Sequence, residues 1–371
     1  MGQIQVSGLY VLFQRCKDQI PHWNRTDCRE QVDKMRGEMD QIIGEFQVRT
    51  KSLCVAILSY LFFIFYTIYI LHYLYLHLQP KHLLPPTHKM KWLIYGSKGW
   101  IGGMVVEHLL KLGETAVAAV ARADQEDAVE QELKEVGPDR VLCFIGRTHG
   151  PGYSTIDYLE QKGKLVENVR DNLYSPVVLA LLGKKYGVHV TYLGTGCIFT
   201  YKDDEAIFSE QDRPNFFGSG YSTVKGFTDR LMHFFNDSVL NLRIRMPIVG
   251  HHHPRNFITK ITSYEKVCSI PNSMTVLEDM IPILVSLAKQ EITGTVNLTN
   301  PGKISHNEIL ELYKKYVDPA FEWKNFTLEE QSKILLSERS NNELDTNVLQ
   351  LLAPGVKDIR TSVEELMRLW K

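Results

Sequence analysis

Hydrophobic and polar positions follow two regimes along the chain, divided near residue 90. From Lys91 onward, short apolar runs alternate with amphipathic stretches of helical period. WLIYG reads as a first strand, Gly102 to Leu112 as a helix and AVAAVA as a second strand. DQEDAVEQELKEV reads as a helix with a solvated acidic face and RVLCFIG as a third strand. Leu165 to Tyr186 then reads as one long helix, and HVTYLGTG as a further strand. This alternation predicts the α/β class, a Rossmann-type doubly wound parallel sheet with helices on both faces.

Upstream the pattern is different. Residues 1–52 form a polar extension of mixed charge. Residues 53–78, LCVAILSYLFFIFYTIYILHYLYLHL, carry no Asp, Glu, Lys or Arg. That run exceeds the roughly 20 residues needed to cross a bilayer. Its tyrosines and His72 and His77 gather toward one end, as near a membrane interface. It lies too deep in the chain for a cleaved signal peptide. Three readings stand: a transmembrane helix anchoring the protein, a buried apolar helix, or sequence upstream of a working start at Met90. Lys and Arg at both flanks leave orientation open. Residues 79–90, with Pro80, Pro85 and Pro86, read as an extended linker.

Composition narrows the function classes. The 371 residues suffice for one large domain or two modest ones. Lys+Arg number 42 against Asp+Glu 43, so no basic face is expected and nucleic acid is not a predicted partner. The six cysteines are scattered without a CxxC, which points to free thiols in a reducing compartment. Cys143 and Cys268 read as buried apolar positions.

The chemistry begins at Gly96-Ser-Lys-Gly99-Trp100-Ile101-Gly102, a G-x-x-G-x-x-G turn between the first strand and the first helix. Glycine serves there because the turn is tight and the backbone must approach a pyrophosphate, while the helix N-terminus offers free N–H groups. Cofactor choice is read at the end of the second strand. Arg122 stands there, a cation suited to a 2′-phosphate, so NADPH is expected rather than NADH. Asp124 nearby works against that choice. Gly146, Arg147 and Thr148 follow the third strand, at the edge where ligands enter open sheets. Tyr221 and Lys225 form Y-x-x-x-K, whose spacing puts both on one helix face. An ammonium there favours the phenolate of a residue whose free pKa is about 10, so Tyr221 can serve as a proton donor to a carbonyl. Thr195, ending a strand, offers a hydroxyl to orient that carbonyl.

YGxxGWIG, a strand-ending TG and YxxxK in this order resemble the extended short-chain dehydrogenases. Within them the chain resembles the dTDP-4-dehydrorhamnose reductase group and, more specifically, the bifunctional UDP-4-keto-6-deoxyglucose 3,5-epimerase/4-reductases of rhamnose synthesis. FIGRTHGPGYSTIDYLE, LGTGCIF, PNFFGS, LRIRMPI, PRNFITKI, IPNSMTVL, TNPGKISHNEIL and RSNNELDT carry that resemblance. It spans nearly all of 91–371 and none of the first 89 residues. It implies a Rossmann NADP-binding domain over 91–245 and a smaller, mainly substrate-binding portion over 246–371. It further implies a nucleotide-sugar substrate and Thr195, Tyr221 and Lys225 as the reductive set. Cys197 and Lys260 would be the acid and base that invert carbons 3 and 5. Asn172, Met246 and Pro247 fall on the cofactor side. Arg255, Asn256, Asn272 and Arg339 would hold the sugar nucleotide, with Asn341 and Asn342 as further candidates. By residue type alone, Cys197 is a small core residue and Lys260 a surface lysine; the resemblance reverses that order.

Two other readings share these motifs: a reductase without epimerase activity, and a non-catalytic NADP-binding regulatory subunit like the methionine adenosyltransferase β subunit. The base, UDP or dTDP, is left open, and a homodimer is compatible with the pattern. The expected location of the catalytic domain is the cytoplasm, at a membrane if the apolar run is an anchor. His251-His252-His253 does not predict a metal site, because consecutive loop side chains rarely converge on one ion. The sequon at Asn24 matters only if that end is lumenal.

Overall fold

Lys91–Tyr95 (β1) buries Trp92, Leu93, Ile94 and Tyr95 alike, which a strand does only when both faces of its sheet are covered. The computed structural model describes residues 89–201 and 206–371; the polar extension, the apolar run 53–78 and most of the linker lie outside the described residues. Among the described residues no helix is long and apolar enough to cross a membrane. β1 is followed by α1 (Trp100–Lys111), β2 (Thr115–Ala118), α2 (Glu126–Val136) and β3 (Arg140–Cys143). Then come α3 (Leu165–Val169), α4 (Ser175–Tyr186), β4 (His189–Thr195), α5 (Gly220–Met232) and β5 (Val239–Ile244). The segment after residue 246 supplies α6 (Phe257–Thr262), α7 (Leu277–Lys289), β6 (Gly294–Asn297), α8 (His306–Tyr316) and α9 (Ile359–Arg368).

The six strands form one parallel sheet in the order β6-β5-β4-β3-β1-β2. After β2 the chain crosses back over β1 to lay down β3. The connections on either side of β1 and β3 therefore diverge, which opens a crevice at the carboxyl ends of these strands. Period-2 alternation divides the apolar side chains between two layers. Trp92, Ile94, Leu142 and Leu242 pack with Val105 and Leu109 of α1 and Met280 and Leu284 of α7. Leu93, Tyr95, Val141 and Tyr192 pack with Val129 and Leu133 of α2 and Leu179 and Leu182 of α4. A third cluster joins Ile258 and Ile261 of α6, Ile309 and Leu310 of α8, and Val363 and Met367 of α9.

The long helix expected over 165–186 is broken by a wider π-type turn at Arg170–Tyr174. Pro176 has no N–H to give the carbonyl of Asn172, four residues back. That carbonyl accepts the Thr228 hydroxyl instead, at 2.7 Å, which ties the turn to α5. The second strand is shorter than AVAAVA. Past Ala118 the amides of Val120 and Ala121 donate to Glu132, which also accepts the Tyr95 hydroxyl, so the acidic face of α2 is only partly solvated.

The turn between β1 and α1 is set by atoms that leave no room for a side chain. Gly96 takes a φ of +83°, and a Cβ at Gly102 would lie 2.2 Å from the Gly96 carbonyl oxygen. A Cβ at the adjacent Gly103 would meet only Ser97 O at 3.6 Å, an ordinary contact. Gly102→Ala should therefore cost about 1–3 kcal/mol through forced displacement of the turn. Gly103→Ala should gain up to about 1 kcal/mol as an alanine inside a helix. Urea denaturation of the two variants reads the contrast, and equal stabilities would refute it.

His306 opens α8, and burial pushes its ring down to about 4 against the opposing bond to the Ile270 carbonyl. Unfolded histidine titrates near 6.5, so below that pH the unfolded chain binds a proton the folded protein refuses. This contribution is complete above about pH 6.5 and is lost, by up to about 3 kcal/mol, as pH falls toward 4. Stability measured across that window should fall less steeply in His306→Gln than in the wild type.

Candidate active site

α1 begins at the glycine turn with no side-chain cap and no acidic residue in its first turn, so its amide dipoles face the crevice uncompensated. Gly99 is the N-cap, and its amide donates to the Gly96 carbonyl at 2.9 Å. Trp100, Ile101 and Gly102 supply the first turn. The Trp100 ring stacks on His253, centroids 4.6 Å apart and planes 10° from parallel. That contact accounts for one member of the histidine triplet. Among the described residues no group of His, Cys, Asp or Glu is arranged to hold a metal. Arg122 lies beyond β2, more than half exposed, in a 3.1 Å ion pair with Asp124.

Beyond β3, Asn172 clamps the backbone. Its fully buried side chain accepts from the Arg147 amide at 2.9 Å and donates to the Arg147 carbonyl at 3.0 Å. A Cβ at Gly146 would sit 3.3 Å from the Asn172 oxygen. The Arg147 side chain turns to Asp171 and Glu167, at 2.7 and 3.2 Å. Thr148 stands beside His149, whose ring meets the Arg255 guanidinium at 2.6 Å. The resemblance implied an asparagine at once structural and on the cofactor side; the bonds that Asn172 makes here are structural.

Thr195 ends β4, and its hydroxyl accepts the Cys197 amide at 3.0 Å. Ser219 caps α5, whose first turns carry Tyr221 and Lys225. The Tyr221 ring packs with Tyr158 and Leu159, and half-buried Cys197 joins that cluster. Thr195, Cys197 and Tyr221 are therefore gathered at one carboxyl edge. Lys225 is buried below them and donates to the Tyr192 hydroxyl at 2.5 Å, with its ammonium 4.6 Å from that ring's centre.

The electrostatic balance differs from the one expected of Y-x-x-x-K. Burial, followed by the neighbouring Cys197 charge, pushes the Tyr221 phenol up, and the facing Thr195 hydroxyl only partly opposes them. Burial lowers Lys225 to about 8, against the pull of Cys143, Asp229 and Cys197. The hydrogen bond of Lys225 goes to Tyr192 rather than Tyr221. Tyr221 is thus held as a neutral phenol above a cation that is mostly protonated at neutral pH.

The remaining expected residues divide. Lys260, on α6, donates to the Ser154 carbonyl at 3.2 Å, and burial, then the charge of Arg255, lowers its ammonium. Ser154 leads into the turn Ile156–Glu160 that carries Tyr158, so Lys260 faces the same loop that covers Tyr221. Met246 takes a left-handed φ of +37°, a strained value for a side chain of its size, where the chain leaves the sheet edge. Pro247 then pairs with Thr275. Asn256 is the buried N-cap of α6, bonded to the Ile258 and Val249 amides. Asn272 is also fully buried, accepting from Arg245 and the Asn342 amide. Neither side chain is open to a ligand in this arrangement. Arg339 pairs with Asp157 at 2.6 Å. Burial resists ionisation of Asp157, but the bond and charge of Arg339 outweigh it and hold the carboxyl below the usual range.

Several participants carry no sequence motif. Tyr192 is one of the alternating apolar residues of β4 and reads as core. Arg245 lies in LRIRMPI, where charge inside an apolar strand was the available signal. Asp157 pairs across 182 positions with Arg339, a separation no local pattern reveals.

No protein-family profile matches the chain. It is 59% identical over 286 residues to protein L780 of Acanthamoeba polyphaga mimivirus, covering 76% of this chain and 99% of that one. The crystal structure of L780, described as a UDP-rhamnose synthase, superposes with a TM-score of 0.75 at 58% identity, over 76% of this chain and 99% of that one. An Arabidopsis thaliana bifunctional dTDP-4-dehydrorhamnose 3,5-epimerase/dTDP-4-dehydrorhamnose reductase is 41% identical over 278 residues, 73% of this chain and 90% of that protein. A Bacillus anthracis dTDP-4-dehydrorhamnose reductase solved in complex with NADP shares the fold at 16% identity, with a TM-score of 0.64 over 75% of this chain and 99% of that one. On the extent and identity of the first two relatives, the chain belongs to the rhamnose-forming nucleotide-sugar epimerase/reductase family of the short-chain dehydrogenase fold.

Proposed function

We propose that the protein converts a nucleotide-linked 4-keto-6-deoxyglucose into the L-rhamnose nucleotide, inverting carbons 3 and 5 and then reducing carbon 4. The gathering of Thr195, Cys197 and Tyr221 at the same carboxyl edge of the parallel sheet as the glycine turn carries this reading. UDP is favoured over dTDP because the relative at 58% identity is a UDP-rhamnose synthase. NADPH suits the crevice: Gly96 and Gly102 leave no room for a Cβ, the first turn of α1 is uncapped, and Arg122 follows β2.

The ketone at carbon 4 acidifies the protons at carbons 3 and 5. Cys197 and Lys260 serve as the acid–base pair: one removes a ring proton, the C–H electron pair passes into the carbonyl as an enolate, and the other returns a proton to the opposite face. Thr195 orients the carbonyl oxygen. NADPH, when bound, supplies the hydride for carbon 4. Tyr221, kept neutral by burial, delivers its proton to that oxygen. The Lys225 ammonium stabilises the phenolate left behind, and it holds its charge only below about pH 8.

Tyr221→Phe should slow NADPH oxidation by about 10²–10⁴-fold while deuterium uptake from solvent at carbons 3 and 5 continues. Cys197→Ser should abolish that uptake. Persistence of uptake in that variant would take Cys197 out of the epimerisation, absence of uptake in the wild type would leave a reductase alone, and NADPH binding without oxidation by any keto-sugar nucleotide would leave a regulatory subunit. In the wild type the reduction step should fall off as pH rises through about 8, where Lys225 loses its proton; a rate flat to pH 10 would remove the ammonium from the mechanism.

A further inference from the structure

Two arginines leave the end of β5 fully buried, and they are treated differently. Arg243 meets the Asp229 carboxylate through two bonds of 2.8 Å. Arg245 has no carboxylate partner among the described residues. It donates to the Gly196 carbonyl at 3.0 Å, the Ser340 carbonyl and hydroxyl at 3.0 and 2.9 Å, and the Asn272 oxygen at 2.6 Å. All four acceptors are neutral, and Arg245 Nε has no hydrogen-bond partner among the described residues. A guanidinium stays charged under such conditions, so its full positive charge is left uncompensated.

That charge is fixed beneath one turn. A Cβ at Gly196 would lie 2.9 Å from Arg245 Cγ, so the arginine stem runs directly under the glycine. The next residue is Cys197, set among Tyr158, Leu159 and Tyr221. A thiolate among these rings loses much of its hydration, a cost that a nearby cation offsets. Arg245 itself is wholly buried and cannot reach a substrate.

We infer that Arg245 is a positioning residue for epimerisation, whose unpaired guanidinium, pinned below Gly196 by neutral oxygens, stabilises Cys197 as the thiolate base. The inference rests on the role given to Cys197 above. In the step it supports, the ring C–H proton passes to the Cys197 sulfur and the bonding pair becomes the enolate, with negative charge on the carbonyl oxygen. Lys260 as the ammonium then protonates the opposite face of the ring carbon. Thiolate and ammonium become thiol and amine, and solvent carries the proton from sulfur back to nitrogen. The cysteine is thereby the base and the lysine the acid.

The test reads Cys197 directly. In the full chain, iodoacetamide labelling of the Cys197 peptide is followed by mass spectrometry across pH, without substrate. Arg245→Met should slow labelling at pH 7 by about ten-fold and move the rising limb up by about one pH unit, the equivalent of that factor. Arg245→Gln retains N–H donors for the same oxygens and reads the loss of charge alone should the methionine variant not fold. Arg245→Lys should restore most of the labelling rate, which a purely structural role would not require. Deuterium uptake at carbons 3 and 5 should follow the same order. Unchanged labelling in a folded neutral variant overturns the inference. A labelling shift alongside undiminished deuterium uptake in Cys197→Ser would instead support the electrostatic coupling and overturn the role given to Cys197.

Discussion

A cation buried without a carboxylate costs several kcal/mol unless neutral dipoles replace its lost water. Two cations beside the turn that ends β4 form no direct ion pair with a carboxylate among the described residues, although Asp229, paired with Arg243, still pulls on Lys225. Lys225 is held by the Tyr192 hydroxyl and ring, and Arg245 by carbonyl, amide and hydroxyl oxygens. A carboxylate next to either would have lowered the folding cost and cancelled the field. Both act electrostatically on Cys197, where the mechanism proposed above has negative charge develop during proton transfer. Much of the surrounding structure answers that requirement.

The braces come from distant parts of the chain. Asn272, Ser340 and Asn342 meet around the Gly196 carbonyl, with Asn342 and Arg245 both donating to it at 3.0 Å. The strand pair Pro247–Ile248 with Thr275–Val276 begins just past the strained Met246 and holds the exit from β5 in place. On the other side Asp157 and Arg339 fasten the loop that carries Tyr158 against the segment ending in Ser340. The C-terminal segment therefore fixes the electrostatics of the sheet edge that ends at Thr195. Asn256 and Asn272, expected to face the sugar nucleotide, serve as buried struts, because a buried amide can satisfy several backbone groups at once.

The regular framework was legible in the sequence because its signals are local. Alternating apolar runs specified β1, β3 and β4, and glycine at 96 and 102 marked a turn where a Cβ would strike backbone. Tyr221 and Lys225 share a helix, so their common face followed from spacing alone. The resemblance carried by LGTGCIF and PRNFITKI brought Cys197 and Lys260 into consideration, which residue type would not have done.

Tertiary structure alone decided where the charges go. Spacing placed Lys225 near Tyr221, but only the packed sheet put Tyr192 within 2.5 Å of its ammonium. The break in the helix at Asn172 arose because Pro176 freed a carbonyl that Thr228, 56 residues away, could claim. Arg245 reads as an oddity in an apolar strand until folding surrounds it with oxygens from three separate segments. Local sequence determines which backbone conformations are cheap. The field at a buried site is a sum over atoms that become neighbours only when the chain has closed around them.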